Sequence, residues 1–178
     1  MNTQATALPG VFLVHSPPSG ISRTALPSSL QPSASRAPAT WAQISFEIAR
    51  LNVIRGIHYQ LASPQGRLVG AVLGKSLHIA IDLRRSSSWF GMYLAQLLTA
   101  EKGEMLWIPE GFGHAWMALT RCVAVVCGAT SSDCSAARRT IAWNDPDLSI
   151  PWPSAPQNAI LCDDDRRGAS FRHAEVYP

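Results

Sequence analysis

From Trp41 onward the sequence consists of short apolar and β-branched segments separated by Gly, Pro and Ser. Many short strands at regular spacing are typical of an antiparallel sandwich or closed barrel, and no stretch predicts a long helix. A chain of 178 residues is long enough for one domain with a full core. The predicted strands are Ala42–Ile48, Asn52–Gln60, Arg67–Leu73, Ser76–Leu83, Gly91–Leu98, Met105–Ile108, Ala115–Thr120, Cys122–Thr130 and Thr140–Trp143.

Residues 1–40 have a different composition, rich in Ser, Pro and Ala and poor in charge. No apolar repeat typical of a strand or a helix runs through them. Loops are expected there, most clearly at Pro17–Gly20 and Pro27–Pro38. The prediction is an irregular N-terminal arm over residues 1–40 and one domain over residues 41–178.

Charge and cysteine content exclude several classes of function. The net charge of +3 is too small to predict binding to nucleic acid or to an anionic membrane. No run approaches the roughly 18 apolar residues of a membrane span, and the N-terminus lacks the pattern of a secretory signal. The four cysteines form no CxxC pair, which favours reduced thiols in a cytoplasmic protein.

The segment Leu77–Leu83 alternates between apolar and polar residues. Leu77, Ile79 and Ile81 share one face of the predicted strand, whereas His78 lies on the other. A histidine in this position has two interpretations, since it either faces solvent or lines a pocket inside a barrel.

Three motifs carry a family resemblance. They are Leu106–His114 (LWIPEGFGH), Arg55–Gln60 (RGIHYQ) and Trp143–Leu148 (WNDPDL). Between about Trp41 and Pro153 the chain resembles the dTDP-4-dehydrorhamnose 3,5-epimerases. The resemblance implies an all-β, antiparallel jelly roll, the double-stranded β-helix of cupins, and a site that needs no metal or other cofactor.

The histidine pattern also favours a pocket without metal. Cupin metal sites need several His and Glu ligands on neighbouring strands. Here His58 is single, and Arg67 stands near the expected Glu. An alternative is that His58, His78 and His114 converge to form a three-imidazole zinc-type site.

The resemblance assigns a role to most polar residues of the motifs. His58 matches a general base, and Asp165 matches the carboxylate that orients it, although Asp163 or Asp164 remains an alternative. His114 is expected to be a further catalytic residue. The implied substrate-binding residues are Arg55, which would bind phosphate, and Gln43, Gln60, His78 and Arg23.

Several residues depart from the family pattern. Arg67 replaces a lysine near the sugar ketone, and Cys127 replaces the tyrosine that serves as acid. A thiol can still donate a proton, although a cysteine in an apolar run is also an ordinary core residue. His78 replaces an aspartate. Ser132 and Asp133 lie where aromatic residues pack against thymine, and Arg23 is a possible remnant of an N-terminal motif.

The implied function is epimerisation next to the ketone of a nucleotide-linked 4-keto-6-deoxy sugar. Such a reaction needs a base, an electrophile near the ketone oxygen and an acid on the opposite face. Two alternatives remain: a cupin repurposed as an isomerase or cyclase for another small molecule, and a non-catalytic homologue. The resemblance also implies a homodimer that exchanges N-terminal strands.

Overall fold

The computed structural model describes residues 2–15, 41–154 and 156–178, which form two antiparallel β-sheets. In one sheet the strands lie in the order β1-β2-β8-β5-β10-β3, and in the other in the order β11-β4-β9-β6-β7. The strands are β1 (Asn2–Ala5), β2 (Phe12–His15), β3 (Gln43–Arg50), β4 (Ile54–Gln60), β5 (Arg67–Leu73), β6 (Lys75–Asp82), β7 (Tyr93–Thr99), β8 (Glu104–Ile108), β9 (Phe112–Ala118), β10 (Cys122–Ala129) and β11 (Arg138–Thr140).

Helices are short in the part of the chain that the structure describes. The one α-helix, α1, spans Asp163–Arg166, and single turns of 3-10 helix lie at Ser135–Ala137, Pro156–Asn158 and Phe171–His173. The predicted all-β antiparallel jelly roll is confirmed. None of the described helices is long and apolar enough to cross a membrane.

Apolar side chains fill two layers, one on each side of the five-stranded sheet. Between the sheets, Val69 and Leu106 pack against Ala80 and Phe112. On the outer side of that sheet, Ile79 and its neighbours pack beneath the C-terminal segment, which includes Tyr177. Both faces of β6 are therefore buried, as alternation of side chains requires when each face of a strand is covered. The C-terminal segment also places α1 against β4.

The strand predictions are confirmed in number and order from Gln43 to Ala129, and β5 has the predicted bounds. The prediction for β9 was wrong at both ends, because the strand begins at Phe112 rather than Ala115. Gly111, with a φ of +89°, is the last residue of the three-residue turn Pro109–Gly111, and the strand starts directly after it. His114 therefore lies within a strand, where neighbouring strands fix its position.

The prediction of an irregular arm was wrong for residues 2–15, which contain β1 and β2. β1 and β2 form a hairpin that adds to the six-stranded sheet, with Phe12 opposite Trp107 of β8. The signal was missed because each strand has four residues, too few to show alternation clearly. Burial of Leu13 and Val14 stabilises the hairpin on the sheet. The predicted boundary at residue 40 lies outside the described residues.

Gly56 lies where β4 passes closest to β9. Its φ is +104°, and a Cβ there would lie 2.5 Å from the carbonyl oxygen of His114. We predict that Gly56→Ala lowers the free energy of unfolding by about 3 kcal/mol or more, through backbone strain and overpacking together. Chemical denaturation of the purified variant measures the change.

Gly103→Ala is the matched control, because Gly103 also has a positive φ but a Cβ there would meet nothing within 4 Å. Its cost is expected to be the backbone strain alone, about 1–2 kcal/mol. Equal decreases in the free energy of unfolding of Gly56→Ala and Gly103→Ala would contradict the close contact between β4 and β9.

Candidate functional site

A cleft of about 280 Å³ opens between the two sheets. Strands β3, β5 and β10 form one wall, and β4, β9 and β11 contribute to the other. Alternation along β3 directs Gln43, Ser45 and Glu47 into the cleft. Six of the ten site residues predicted from the sequence line it: Gln43, Arg55, His58, Arg67, His114 and Cys127.

His58 and Asp165 form a hydrogen-bonded pair at the wall of the cleft. Nε2 of His58 lies 2.6 Å from Oδ1 of Asp165, whose side chain is fully buried. The same oxygen accepts the backbone N–H of Gly56 at 3.1 Å, and the thiol of Cys162 donates to Oδ2 at 3.0 Å. Burial alone would raise the pKa of Asp165, but the hydrogen bonds from His58 and Cys162 hold it below its usual value.

The geometry selects Asp165 from the run of three aspartates. Asp163 and Asp164 are exposed, and Asp164 accepts a hydrogen bond from Arg167 on the outer surface. One turn of α1 is enough to separate the three side chains in this way. A buried carboxylate that fixes the orientation of an imidazole is the arrangement expected of an activated base.

Arg55 faces Glu47 across the cleft. Its Nε donates to Oε2 of Glu47 at 3.1 Å, and each side chain is 40% exposed. Because this contact uses Nε, the planar group can still present its terminal nitrogens to an anion. Sequence reasoning missed Glu47 as a site residue, although alternation from Gln43 along β3 was a signal that could have identified it.

A second ion pair lies near the mouth of the cleft, where Arg138 pairs with Asp133. The backbone N–H of Asp133 also donates to the side chain of Gln43 at 3.1 Å. Arg138 was likewise missed, because β11 was predicted to begin at Thr140. Polar and charged groups therefore occupy the region where the family resemblance implied aromatic residues.

Arg67 and Cys127 lie deeper, on the wall formed by β5 and β10. Arg67 donates to Oε1 of Gln65 at 3.0 Å. Burial raises the pKa of the Cys127 thiol, and the positive charge of Arg67 partly opposes this effect. Cys127 is therefore a neutral thiol that faces the cleft from the sheet opposite His58.

His78 does not line the cleft, and its prediction as a substrate-binding residue was wrong. It is fully buried behind His114, and its Nδ1 lies 3.1 Å from Nε2 of His114. The interpretation of a solvated face was also wrong, because the sandwich covers both faces of β6. Burial lowers the pKa of His78 to about 3, so its imidazole is neutral.

The position of Gln60 also differs from expectation. The side chain of Gln60 is buried and forms hydrogen bonds to Ser63, Ser132 and Cys134, so it holds loops together rather than facing the cleft. A glutamine at a strand end is well suited to this role, because its amide both donates and accepts. Arg23 lies outside the described residues.

The alternative of a three-imidazole metal site is not supported by the donor geometry. Within residues 2–15, 41–154 and 156–178, no group of three or more His, Cys, Asp or Glu side chains is placed to hold a metal ion. His58 is held by Asp165, and His78 is separated from the cleft by His114. The arrangement is suited to acid–base chemistry beside three arginines that line the same cleft, Arg55, Arg67 and Arg138.

Two antiparallel sheets around a cleft with a histidine–aspartate pair place the protein in the cupin-like jelly-roll class. The family model for dTDP-4-dehydrorhamnose 3,5-epimerase matches residues 5–173. The dTDP-4-dehydrorhamnose 3,5-epimerase of Pseudomonas aeruginosa is 37% identical over 143 residues, which are 79% of this chain and 77% of that protein. The chain therefore belongs to the dTDP-4-dehydrorhamnose 3,5-epimerase family, whose members are isomerases.

Two further relatives show the range of the family. The crystal structure of dTDP-4-dehydrorhamnose 3,5-epimerase from Sulfolobus tokodaii matches with a TM-score of 0.87 at 29% identity, and the match covers 100% of both chains. The dTDP-4-dehydro-6-deoxyglucose 3-epimerase of Streptomyces bikiniensis is 29% identical over 135 residues, 75% of this chain and 68% of that protein. Proteins similar to this chain thus carry names for inversion of one carbon and of two.

The buried carboxylate predicts a dependence of stability on pH. Because the folded-state pKa of Asp165 is lowered, its stabilising contribution is present above the unfolded value of about 4 and is lost as pH falls through the folded value. We predict that Asp165→Asn costs about 2 kcal/mol near neutral pH, and that the difference from wild type shrinks on acidification. Urea denaturation at a series of pH values measures both quantities.

Asp163→Asn is the control, since it changes an exposed carboxylate on the same helical turn. This substitution is expected to change the free energy of unfolding only slightly at every pH of the series. A cost for Asp165→Asn that stays constant as the pH falls below about 3 would contradict the assignment of Asp165 as the ionised partner of His58.

Proposed function

We propose that the protein epimerises a dTDP-linked 4-keto-6-deoxy sugar at a carbon next to the ketone. The observation that carries this proposal is the His58–Asp165 pair at the wall of the cleft. A carbon next to a ketone loses its proton to a base of moderate strength, because the enolate spreads charge onto oxygen. Family membership and the names of the relatives supply the substrate class.

The two walls of the cleft suit the two faces of the sugar. His58, on the five-stranded sheet, removes the proton. Cys127, on the opposite sheet, returns a proton to the other face of the planar enolate, a role that a neutral thiol supports. Inversion requires a base on one face and an acid on the other, and the two walls of the cleft supply His58 and Cys127 for these roles.

The arginines suit a substrate that carries a diphosphate. Arg55 is the proposed phosphate ligand, with Glu47 fixing the plane of its guanidinium group. Arg67 is proposed to lie near the ketone, beside Cys127 and His114, where a fixed cation stabilises developing negative charge on oxygen. Gln43 is proposed to contact the nucleoside, and Asp133 and Arg138 border the same region.

We predict that His58→Ala slows conversion of dTDP-4-keto-6-deoxyglucose by about 10²–10⁴-fold, because the base acts in the difficult step. Cys127→Ser should cause a smaller loss, since a hydroxyl or water can replace the thiol as donor. Proton NMR of the sugar product measures the rate of each variant.

The matched control for His58→Ala and Cys127→Ser is His173→Ala, which removes an exposed histidine that does not line the cleft. It should retain the wild-type rate. A wild-type rate in His58→Ala would eliminate His58 as the base, and a greater loss in Cys127→Ser than in His58→Ala would reverse the proposed order of importance.

The outer face of β3 supports the proposal of a homodimer. β3 is an edge strand, and its outward side chains Ile44, Phe46 and Ile48 are 47%, 62% and 79% exposed. An edge strand with polar residues toward the cleft and large apolar residues toward solvent is typical of a strand that a partner covers. We propose that a second copy of the chain packs against the outward side chains of β3 across a two-fold axis.

The test of this interface is sedimentation velocity at micromolar concentration. Wild type is expected to sediment as a dimer and Phe46→Asp as a monomer, because a carboxylate cannot be buried there without a partner. Leu97→Asp, at an exposed apolar position on the other sheet, is the control and should remain dimeric. A monomeric wild type would contradict the proposal.

A further inference from the structure

Three buried polar side chains form a hydrogen-bonded row that leads from the interior to the cleft. Oγ of Ser76 lies 2.9 Å from Nε2 of His78, and Nδ1 of His78 lies 3.1 Å from Nε2 of His114. Ser76 and His78 have no exposed surface, and His114 is buried except at the cleft. The two imidazole planes are nearly parallel, 11° apart.

Both histidines of this row are neutral. Burial lowers the pKa of His78 to about 3. Burial also lowers the pKa of His114 well below its ordinary value, and the positive charge of Arg67 adds to the effect. A neutral imidazole carries one N–H and one lone pair, so each ring donates at one nitrogen and accepts at the other.

Ser76 fixes the order of donors and acceptors. Within the described part of the chain, Nε2 of His78 is the one partner of its hydroxyl. If Nε2 carried the hydrogen, the hydroxyl hydrogen would be buried without an acceptor, which is costly in a dry interior. The hydroxyl therefore donates to Nε2, and the hydrogen of His78 is on Nδ1.

This order determines which nitrogen of His114 carries its hydrogen. Nδ1–H of His78 donates to Nε2 of His114, so the hydrogen of His114 is on Nδ1. Among the described residues, no buried side-chain nitrogen or oxygen lacks a partner, and no protein group is bonded to this Nδ1. Since His114 lines the cleft, Nδ1–H is open to a ligand there.

We infer that Ser76 and His78 are positioning residues that hold His114 as a neutral Nδ1–H donor to the ketone oxygen of the substrate. The part that concerns the substrate rests on the proposed function. As His58 takes the proton from carbon, the C–H electron pair forms the C=C bond and the carbonyl π pair moves to oxygen. His114 donates a hydrogen bond to that oxygen and keeps its proton. A neutral imidazole can act as an electrophile in this way.

The first test uses the wild-type protein and needs no substrate. Long-range ¹H–¹⁵N spectra of uniformly ¹⁵N-labelled protein distinguish the two neutral tautomers and the imidazolium. Between pH about 6 and about 8, we expect His78 and His114 both to be Nδ1–H tautomers without titration. An Nε2–H tautomer of either ring, or protonation of either in that range, overturns the inference.

The second test is Ser76→Ala, which removes the group that orders the row. The Nε2–H form of His114 should become populated, and kcat should fall by up to about 10²-fold with little change in KM, as for a lost oxyanion donor. Thr99→Val removes a buried hydroxyl outside the row and should change neither the tautomers nor kcat. An unchanged kcat in Ser76→Ala contradicts the catalytic part of the inference.

The two tests separate this inference from the proposed function. If both rings are Nδ1–H tautomers but the wild type does not convert a 4-keto sugar nucleotide, the assignment of the row stands and the proposed function fails. If the wild type converts the sugar but the tautomers are reversed, the proposed function stands and this inference fails.

Discussion

The carboxylate of Asp165 is the interaction on which the site depends. It is buried beside β4 and accepts hydrogen bonds from His58, from the backbone of Gly56 and from Cys162. Such a group is stable as an anion only where several donors replace water. Those donors are present because the C-terminal segment packs across the outer side of the five-stranded sheet and presents α1 to β4. The packing of that segment therefore sets the orientation of the His58 ring.

Strands of both sheets direct their two faces into different environments. β3 directs Glu47 inward and Phe46 outward, and β6 directs His78 between the sheets and Ile79 beneath the C-terminal segment. Successive side chains of a strand point to opposite faces, which allows one strand to serve both environments. The pairing register is therefore constrained, since a slip of one residue would exchange the side chains on the two faces. The close contact at Gly56 lies where the pairing of β4 with β9 shifts its register, between Arg55 and His58.

The sequence predicted the strands between Gln43 and Ala129 well, because alternation and turn residues are local signals. It did not predict β1 and β2, whose pairing with β8 is a long-range contact of short segments. Family resemblance placed His58, Arg67, Cys127 and His114 together correctly. It placed His78 and Gln60 in the cleft incorrectly, because a motif does not reveal which side chain stands in front of another. Glu47 was missed although alternation from Gln43 along β3 directs it into the cleft, and Arg138 was missed because β11 was predicted to begin at Thr140.

The central claim is that His58 exchanges a carbon-bound proton beside the ketone of a dTDP-linked sugar. The most direct measurement is to incubate wild-type protein with dTDP-4-keto-6-deoxyglucose in heavy water and to locate deuterium in the recovered sugar by NMR. The account predicts deuterium at C3, at C5 or at both, the carbons on either side of the ketone, above the level in a sample without protein. A sugar that binds, as shown by a thermal shift, but gains no deuterium beyond that level would contradict the account.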